Sequence, residues 1–207
     1  VWDILEKETG ARMMHSFARI GGMAKAPTAT LKEDVRALLP EVEKVLLEVE
    51  TMLLRNRIFI DRMQGVGKLS KELALDAGVT GPMLRSTGID YDVRKAHPYL
   101  VYDRFDFESV VGHDGDNYDR FLVRMEEMRQ SCRILLQACE QMPDDGAISV
   151  DDFRITLPEK PAVYSTIEAT IAHFKLVMEG IKIPPGEIYS YTEGANGELG
   201  FHLVSDG

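Results

Sequence analysis

From Leu31 onward, apolar residues recur at Val35, Leu38, Leu39, Val42, Val45, Leu46, Val49, Met52 and Leu53, the three-and-four spacing of one helical face. Thr30 and Glu33 supply a capping-box pattern at its start. Pro40 falls inside the run, where the missing N–H predicts a kink or a break that places it in the first turn of a second helix. A second helix is predicted from Asp119 to Pro143, with Phe121, Leu122, Met125, Met128, Cys132, Leu135, Leu136, Cys139 and Met142 on one stripe. Ser165 and Glu168 make another capping box, and Ile167, Ile171, Phe174 and Met178 form the expected buried face of a third, ending at Gly180.

Between these runs the pattern is weaker. A short helix is predicted from about Ser70 to Gly78, followed by a loop-rich region through Pro98 punctuated by Gly81-Pro82 and Gly88. Residues 99–111, YLVYDRFDFESVV, are rich in aromatic and β-branched types and suggest one strand or an extended segment. The last eighteen residues before Ser205 alternate on both sides of Asn196-Gly197, a strong hairpin signal. The fold class expected is therefore mainly α, an α+β chain with a small β component that includes a C-terminal hairpin.

Composition bounds what such a chain does. At 207 residues with 44% hydrophobic content it can bury a sizeable core. With 34 acids against 24 bases its net charge is −10, which argues against nucleic acid as a general partner, so any basic site must be local. No segment reaches the roughly 18–20 uninterrupted apolar residues of a membrane span. The first ten residues carry acids where a signal peptide carries bases. Cys132 and Cys139 lie seven apart in a helical pattern, about 10 Å along the axis and too far for a disulfide within that helix, which fits a reducing compartment. Val1 and the closing VSDG suggest a chain cut from something longer.

Several motifs fail on inspection. GVGKLS, Gly65 to Ser70, lacks the glycine and the hydroxyl residue of a phosphate loop, since Arg62 and Leu69 stand there. DGDNYD, Asp114 to Asp119, lacks the glycine and closing Glu of a calcium loop, and reads better as a helix cap with acids at the positive dipole end. The five histidines, His15, His97, His113, His173 and His202, have no metal-ligand spacing, so no metal site is expected.

Two segments remain. In ARMMHSFARIGG, Ala11 to Gly22, Arg12 and Arg19 sit among methionines, a phenylalanine and a double glycine, with no acid downstream before Glu33. In GPMLRSTGIDYDVRKAHPY, Gly81 to Tyr99, the bases Arg85, Arg94 and Lys95 share a glycine-containing stretch with Asp90 and Asp92. That stretch is open to two readings: a loop stapled by arginine–carboxylate pairs, or a site beside a cofactor or anion.

Taken in order, GARMMHSFARIGG, GPMLRSTGIDYDVRKAHPY, GDNYDRFLVRMEEMRQS, STIEATIAHFK and GELGFHLVSDG resemble the D-type subunit of the proton-pumping NADH:quinone oxidoreductase, respiratory complex I, a family related to the large subunit of nickel-iron hydrogenases. The resemblance covers nearly the whole chain, taken as a single partial domain over residues 1–207. It implies a helical core like that of the hydrogenase large subunit. It also implies a core subunit with no redox centre of its own, packed against the subunit that holds the terminal iron–sulfur cluster, against a subunit of the C type and against the membrane subunit at the quinone site. Quinone is then the substrate, reduced with electrons from NADH and coupled to proton translocation. The expected location is peripheral, on the cytoplasmic face of a bacterial inner membrane or the matrix face of the mitochondrial one.

By the same resemblance the quinone-headgroup histidine and tyrosine lie upstream of Val1, leaving a middle fragment without a catalytic residue in this stretch. Arg12, Arg19, His15 and Arg85 are expected near the cluster and quinone, with Arg19 in the family's Arg-x-Gly-Gly motif and the glycines allowing close backbone approach. Buried cations there would raise the reduction potential of neighbouring groups. Met14 stands where the family commonly has a histidine; on a helix, the one-residue offset to His15 turns the side chain by about 100°. Asn196 stands where relatives often carry a cation. Two alternatives stay open: the large subunit of a membrane-bound hydrogenase, or a non-catalytic scaffold part of the complex.

Overall fold

The computed structural model describes residues 1–207, which group into two compact units. The first comprises Val1–Asp34, Pro143–Ile188 and Leu203–Gly207; the second comprises Val35–Met142 and Tyr189–His202. The chain is mainly helical with two small antiparallel strand pairs.

In the first unit, α1 (Trp2–Thr9) ends at Gly10 in the left-handed region, and a short hairpin follows, β1 (Ala18–Arg19) with β2 (Gly22–Met23). Helices α8 (Lys160–Ser165) and α9 (Ile167–Met178) pack against each other. The cap of α9 is Thr166, whose hydroxyl accepts from the Ala169 N–H, one residue beyond the expected Ser165. The predicted inward face of α9 points the other way: Ile167, Ile171, Phe174 and Met178 are all exposed, and Ala169 is the buried residue. The periodicity was right about the helix, but a helix apolar on most of its circumference does not say which side meets its own chain.

Helix α2 (Leu31–Leu53) begins in the first unit and continues into the second. It is one helix, with Pro40 inside it and no break. In the second unit, α3 (Arg57–Met63) is capped by Asn56, and α4 (Lys71–Asp76) by Ser70. Gly81-Pro82, expected to punctuate a loop, instead opens α5 (Gly81–Ser86), where proline suits a first turn that needs no N–H. The four-residue α6 (Val93–Ala96) follows, capped by Asp92. Residues 99–111 form no strand: Leu100 and Val101 make a turn, Tyr102–Arg104 one turn of 3₁₀ helix, and residues 105–111 carry no regular secondary structure. Their backbone groups are satisfied by α7 side chains instead, Asp106 and Glu108 N–H donating to Gln137 (2.8 Å) and Gln130 (2.9 Å).

Helix α7 (Asn117–Gln141) is the central element. It buries Val123, Met125, Gln130, Ile134 and Cys139, so of the predicted stripe Met125 and Cys139 are buried and Phe121, Leu122, Cys132 and Met142 half-buried, while Met128, Leu135 and Leu136 are exposed. The shift follows from its neighbours: the 105–110 segment lies along the Gln130–Gln137 side and α5 against another. Arg129 ties α7 to α2 by reaching Glu50 (2.6 Å) and Glu43 (3.2 Å).

The two failed motifs turn out to be halves of one junction. The Gly65 N–H donates to the Asp116 carboxylate (2.7 Å), Leu69 N–H to Gly115 O (2.9 Å) and Asn117 N–H to Val66 O (3.0 Å). Asp116 also caps α7 at the Asp119 N–H (2.9 Å), as the cap reading expected. The terminal hairpin, β3 (Gly186–Gly194) with β4 (Gly197–Ser205), forms where predicted. Its turn residues are Ala195 and Asn196, one place earlier than the Asn-Gly signal implied, and neither has positive φ.

Candidate functional site

Two places collect the charges singled out in the sequence, one in each unit. The first is the excursion between α1 and α2. Its base is closed by Glu8, a buried carboxylate that accepts from the Thr28 N–H (2.9 Å) and from the Thr28 hydroxyl. Within it, Ala18 pairs with Met23 and Arg19 with Gly22, so Ile20 and Gly21 form the turn. The hairpin is braced from behind by residues 148–150: Met23 N–H donates to Ile148 O and Val150 N–H to Gly21 O, both at 2.8 Å. A Cβ on Gly22 would lie 2.2 Å from Ile148 O, so this glycine does permit the close approach expected of it, towards its own chain.

The hairpin presents an unusual surface. Met13, Met14 and Ile20 are exposed, Met14 at 96%, and Arg19 and His15 are exposed with them. Residues 12–17 are not helical, and Met14 has φ of 54°, so the offset between Met14 and His15 is not a helical rotation. Arg12 is half-exposed and already paired, its Nε with Glu6 (2.7 Å) and its Nη2 with Asp3 (2.9 Å), both acids of α1. Arg19 has no such ion pair within the chain.

The second place is a buried ionic cluster centred on Arg85, whose side chain is 1% exposed. Arg85 Nε donates to Glu127 Oε1 of α7 (2.8 Å), Nη1 to the Tyr91 carbonyl (2.9 Å), and Nη2 to both Glu127 and Glu193 of β3, the latter at 2.8 Å. Asp92, equally buried, is held by Arg94 at 2.6 Å and lies 3.9 Å from Arg85. Of the two readings open for the Gly81–Tyr99 stretch, the geometry is that of arginine–carboxylate staples. The cluster holds two guanidiniums and three carboxylates.

Burial opposes the charge on Arg85, but Glu127 and Glu193 more than offset it and hold its pKa above the ordinary value. Burial likewise opposes ionisation of Asp92, yet the hydrogen bond and charge of Arg94 keep it below the usual carboxylate range. Glu127 goes the other way. Its burial raises its pKa by more than Arg85 and Arg94 recover, and the Glu193 charge adds to the rise.

Aromatic rings wall the cluster. The Arg94 guanidinium lies 4.9 Å from the Phe107 ring centroid and the Lys95 ammonium 5.2 Å. The Tyr99 hydroxyl accepts from the Glu193 N–H (3.1 Å), and the Tyr189 hydroxyl donates to Glu198 (2.7 Å). Nearby, Arg124 of α7 reaches the hairpin turn, donating to Ala195 O and Asn196 Oδ1, each at 3.1 Å. Asn196, where a cation was expected in relatives, here accepts from a cation of its own chain.

Glu127 and Glu193 are not legible in the local sequence around Arg85, because they lie 42 and 108 residues from it. The one available signal was strand alternation, which puts Glu193 on the same face of β3 as Tyr189 and Tyr191.

No group of three or more His, Cys, Asp or Glu side chains is placed to hold a metal ion, and no helix is long and apolar enough to cross a membrane. What these features describe is a helical component that keeps its buried charges to itself and turns an apolar, cationic hairpin outward. The chain belongs to the family described as respiratory-chain NADH dehydrogenase, 49 Kd subunit, whose model matches residues 1–207. It is 62% identical over 206 residues to a D-type NADH-quinone oxidoreductase subunit of Sorangium cellulosum (strain So ce56), covering all of this chain and 51% of that protein. The D-type subunit of Anaeromyxobacter dehalogenans (strain 2CP-C) is 57% identical over all of this chain and 48% of its own length. That of Myxococcus xanthus (strain DK1622) is 56% identical over 96% of this chain and 48% of its own. The chain spans about half the length of the curated relatives it matches.

Proposed function

We propose that this chain is part of a core subunit of a proton-translocating NADH:quinone oxidoreductase. In this reading it helps to form the quinone-reduction site beside an iron–sulfur cluster held by a neighbouring subunit. The names of the relatives support the complex and the reaction. One observation on this chain carries the site: the excursion between α1 and α2 exposes Met13, Met14 and Ile20 together with an exposed, unpaired Arg19, and its β1–β2 hairpin is braced by residues 148–150. A fixed cation on an apolar surface costs desolvation only when a partner covers it, and there it stabilises electrons arriving nearby.

The roles divide accordingly. Arg19 is the cation directed at the cluster and quinone, and His15 lies on the same exposed excursion. Arg12, with two carboxylates already on it, shapes the loop by holding it to α1. Arg85 acts as a positioning residue, joining α5, α7 and β3 from inside. The chain itself binds no cofactor in this reading; quinone is the substrate, the cluster belongs to the partner, and further contacts are with the C-type and quinone-site membrane subunits. The subunit itself lies peripherally, on the cytoplasmic face of a bacterial inner membrane or the matrix face of the mitochondrial one.

The test is Arg19→Met in the assembled complex. Quinone reduction or the spectroscopic signal of the terminal cluster is expected to be impaired while assembly is retained. Normal assembly, cluster signal and turnover together would remove Arg19 from the site. Loss of activity only in proportion to loss of assembly, across Arg12, Arg19 and Arg85 substitutions, would point to a scaffold role.

A further inference from the structure

The apolar face of α9 is a feature that the proposed function leaves unused. The helix IEATIAHFKLVM has eight apolar residues in twelve, too many for a single core-facing stripe, and a helix apolar on most of its circumference belongs in an interior. One side already packs: Ala169 is buried, and Ala172 and Leu176 are half-buried. On the other, Ile167, Ile171, Phe174 and Met178 stand exposed at spacings of four, three and four, which makes one continuous stripe. The stripe runs into a groove of about 700 Å³ lined by Phe153, Ile155, Ile171, Leu176 and Ile181.

We infer that this stripe and groove are an internal packing surface, covered by the half of the same polypeptide that the relatives carry outside the matched region. Two observations select that occupant. The relatives are about twice as long as this chain, so as many residues again are available to complete a core. Of the charges lining the groove, Arg154 pairs with Asp152 (2.6 Å) and Lys182 with Glu179 (3.3 Å), while Glu168 and Lys175 carry opposite signs, so the groove has no net charge to select a separate partner.

The experiment uses the full-length polypeptide, free and in the assembled complex, with a photoreactive benzoyl-phenylalanine at Phe174 and hydrogen exchange read over residues 167–178. Expected is a cross-link to a peptide of the same polypeptide outside residues 1–207, in both samples. Exchange over residues 167–178 in the free full-length chain should be within about tenfold of that over the buried part of α7. Four results would each overturn the inference. They are a cross-link to another subunit with protection only in the complex, a cross-link between two copies, a cross-link within residues 1–207, and no cross-link with fast exchange in both samples.

Discussion

Replacing Arg85 by methionine tests the buried cluster most directly. The substitution keeps much of the side-chain volume but removes four hydrogen bonds and strands Glu127 and Glu193, whose side chains are 17% and 5% exposed. Breaking a buried ion pair by removing one partner costs about 3–5 kcal/mol, because the remaining charge is left in a poorly solvating site. For a chain of this size that is a fall in Tm of roughly 6–20 °C. The probes separate themselves. The single tryptophan, Trp2, reports the first unit, whereas six of the seven tyrosines, all but Tyr164, lie in the second, so near-UV tyrosine signals mainly follow the unit that holds the cluster. The tyrosine transition should drop in Arg85→Met and the Trp2 transition should move less. Arg85→Met combined with Glu127→Met and Glu193→Met should recover most of the loss, since apolar groups of similar volume replace buried ions at little net cost. A loss under about 1 kcal/mol in the single variant, or a triple variant no more stable than the single, would refute the idea that unpaired buried charge governs the effect.

Other expectations follow from the same geometry. Asp92, depressed by Arg94, contributes stability above the ordinary carboxylate range that is lost as pH falls through its lower folded value; Glu127, raised by burial, costs stability above its folded value and returns it as pH falls towards about 4.3. Urea titrations should therefore show stability rising and then falling on acidification, with Glu127→Gln removing the rise and keeping the fall. Gly81→Ala, at φ of 69° with its Cβ 2.3 Å from the Gly197 Cα, should lower stability by about 2–4 kcal/mol and accelerate hydrogen exchange in the hairpin turn. Asp116→Ala should lower stability by about 1–2 kcal/mol in denaturant melts as the α7 cap is lost, and free the Gly65 N–H to exchange.

The sequence made some of this plain and hid the rest for identifiable reasons. Helices α2, α7 and α9 and the hairpin could be read because each carries its own periodicity or turn signal, independent of what packs on it. Their buried sides could not: α7 turns Ile134 inward and Leu135 and Leu136 outward because Gln130 and Gln137 bind the 105–110 backbone, a long-range pairing that no local pattern encodes. Residues 99–111 read as strand-like because Phe105, Phe107 and Val110 have strand preferences; here Phe107 serves as the floor for two cations instead. Arg19 and its glycines were legible as a close-approach motif, and Arg85, Asp92 and Arg94 as a charged loop. The carboxylates that complete the cluster were not, since they arrive from α7 and β3.

The position of Glu193 also bears on how the chain is made. Arg85 waits 108 residues for that carboxylate, and at synthesis rates of about 5–20 residues per second the interval is roughly 5 to 20 s, plus the time for the hairpin to clear the ribosome. Glu127 arrives 42 residues after Arg85, and from then until β3 is made α5 has that carboxylate but not its second acid, and Thr80 has no Glu198 N–H to receive. The second unit therefore cannot close vectorially. A nascent chain arrested before β3 should hold the Arg85 region open to protease, and release of the arrest past β4 should seal it in a single step.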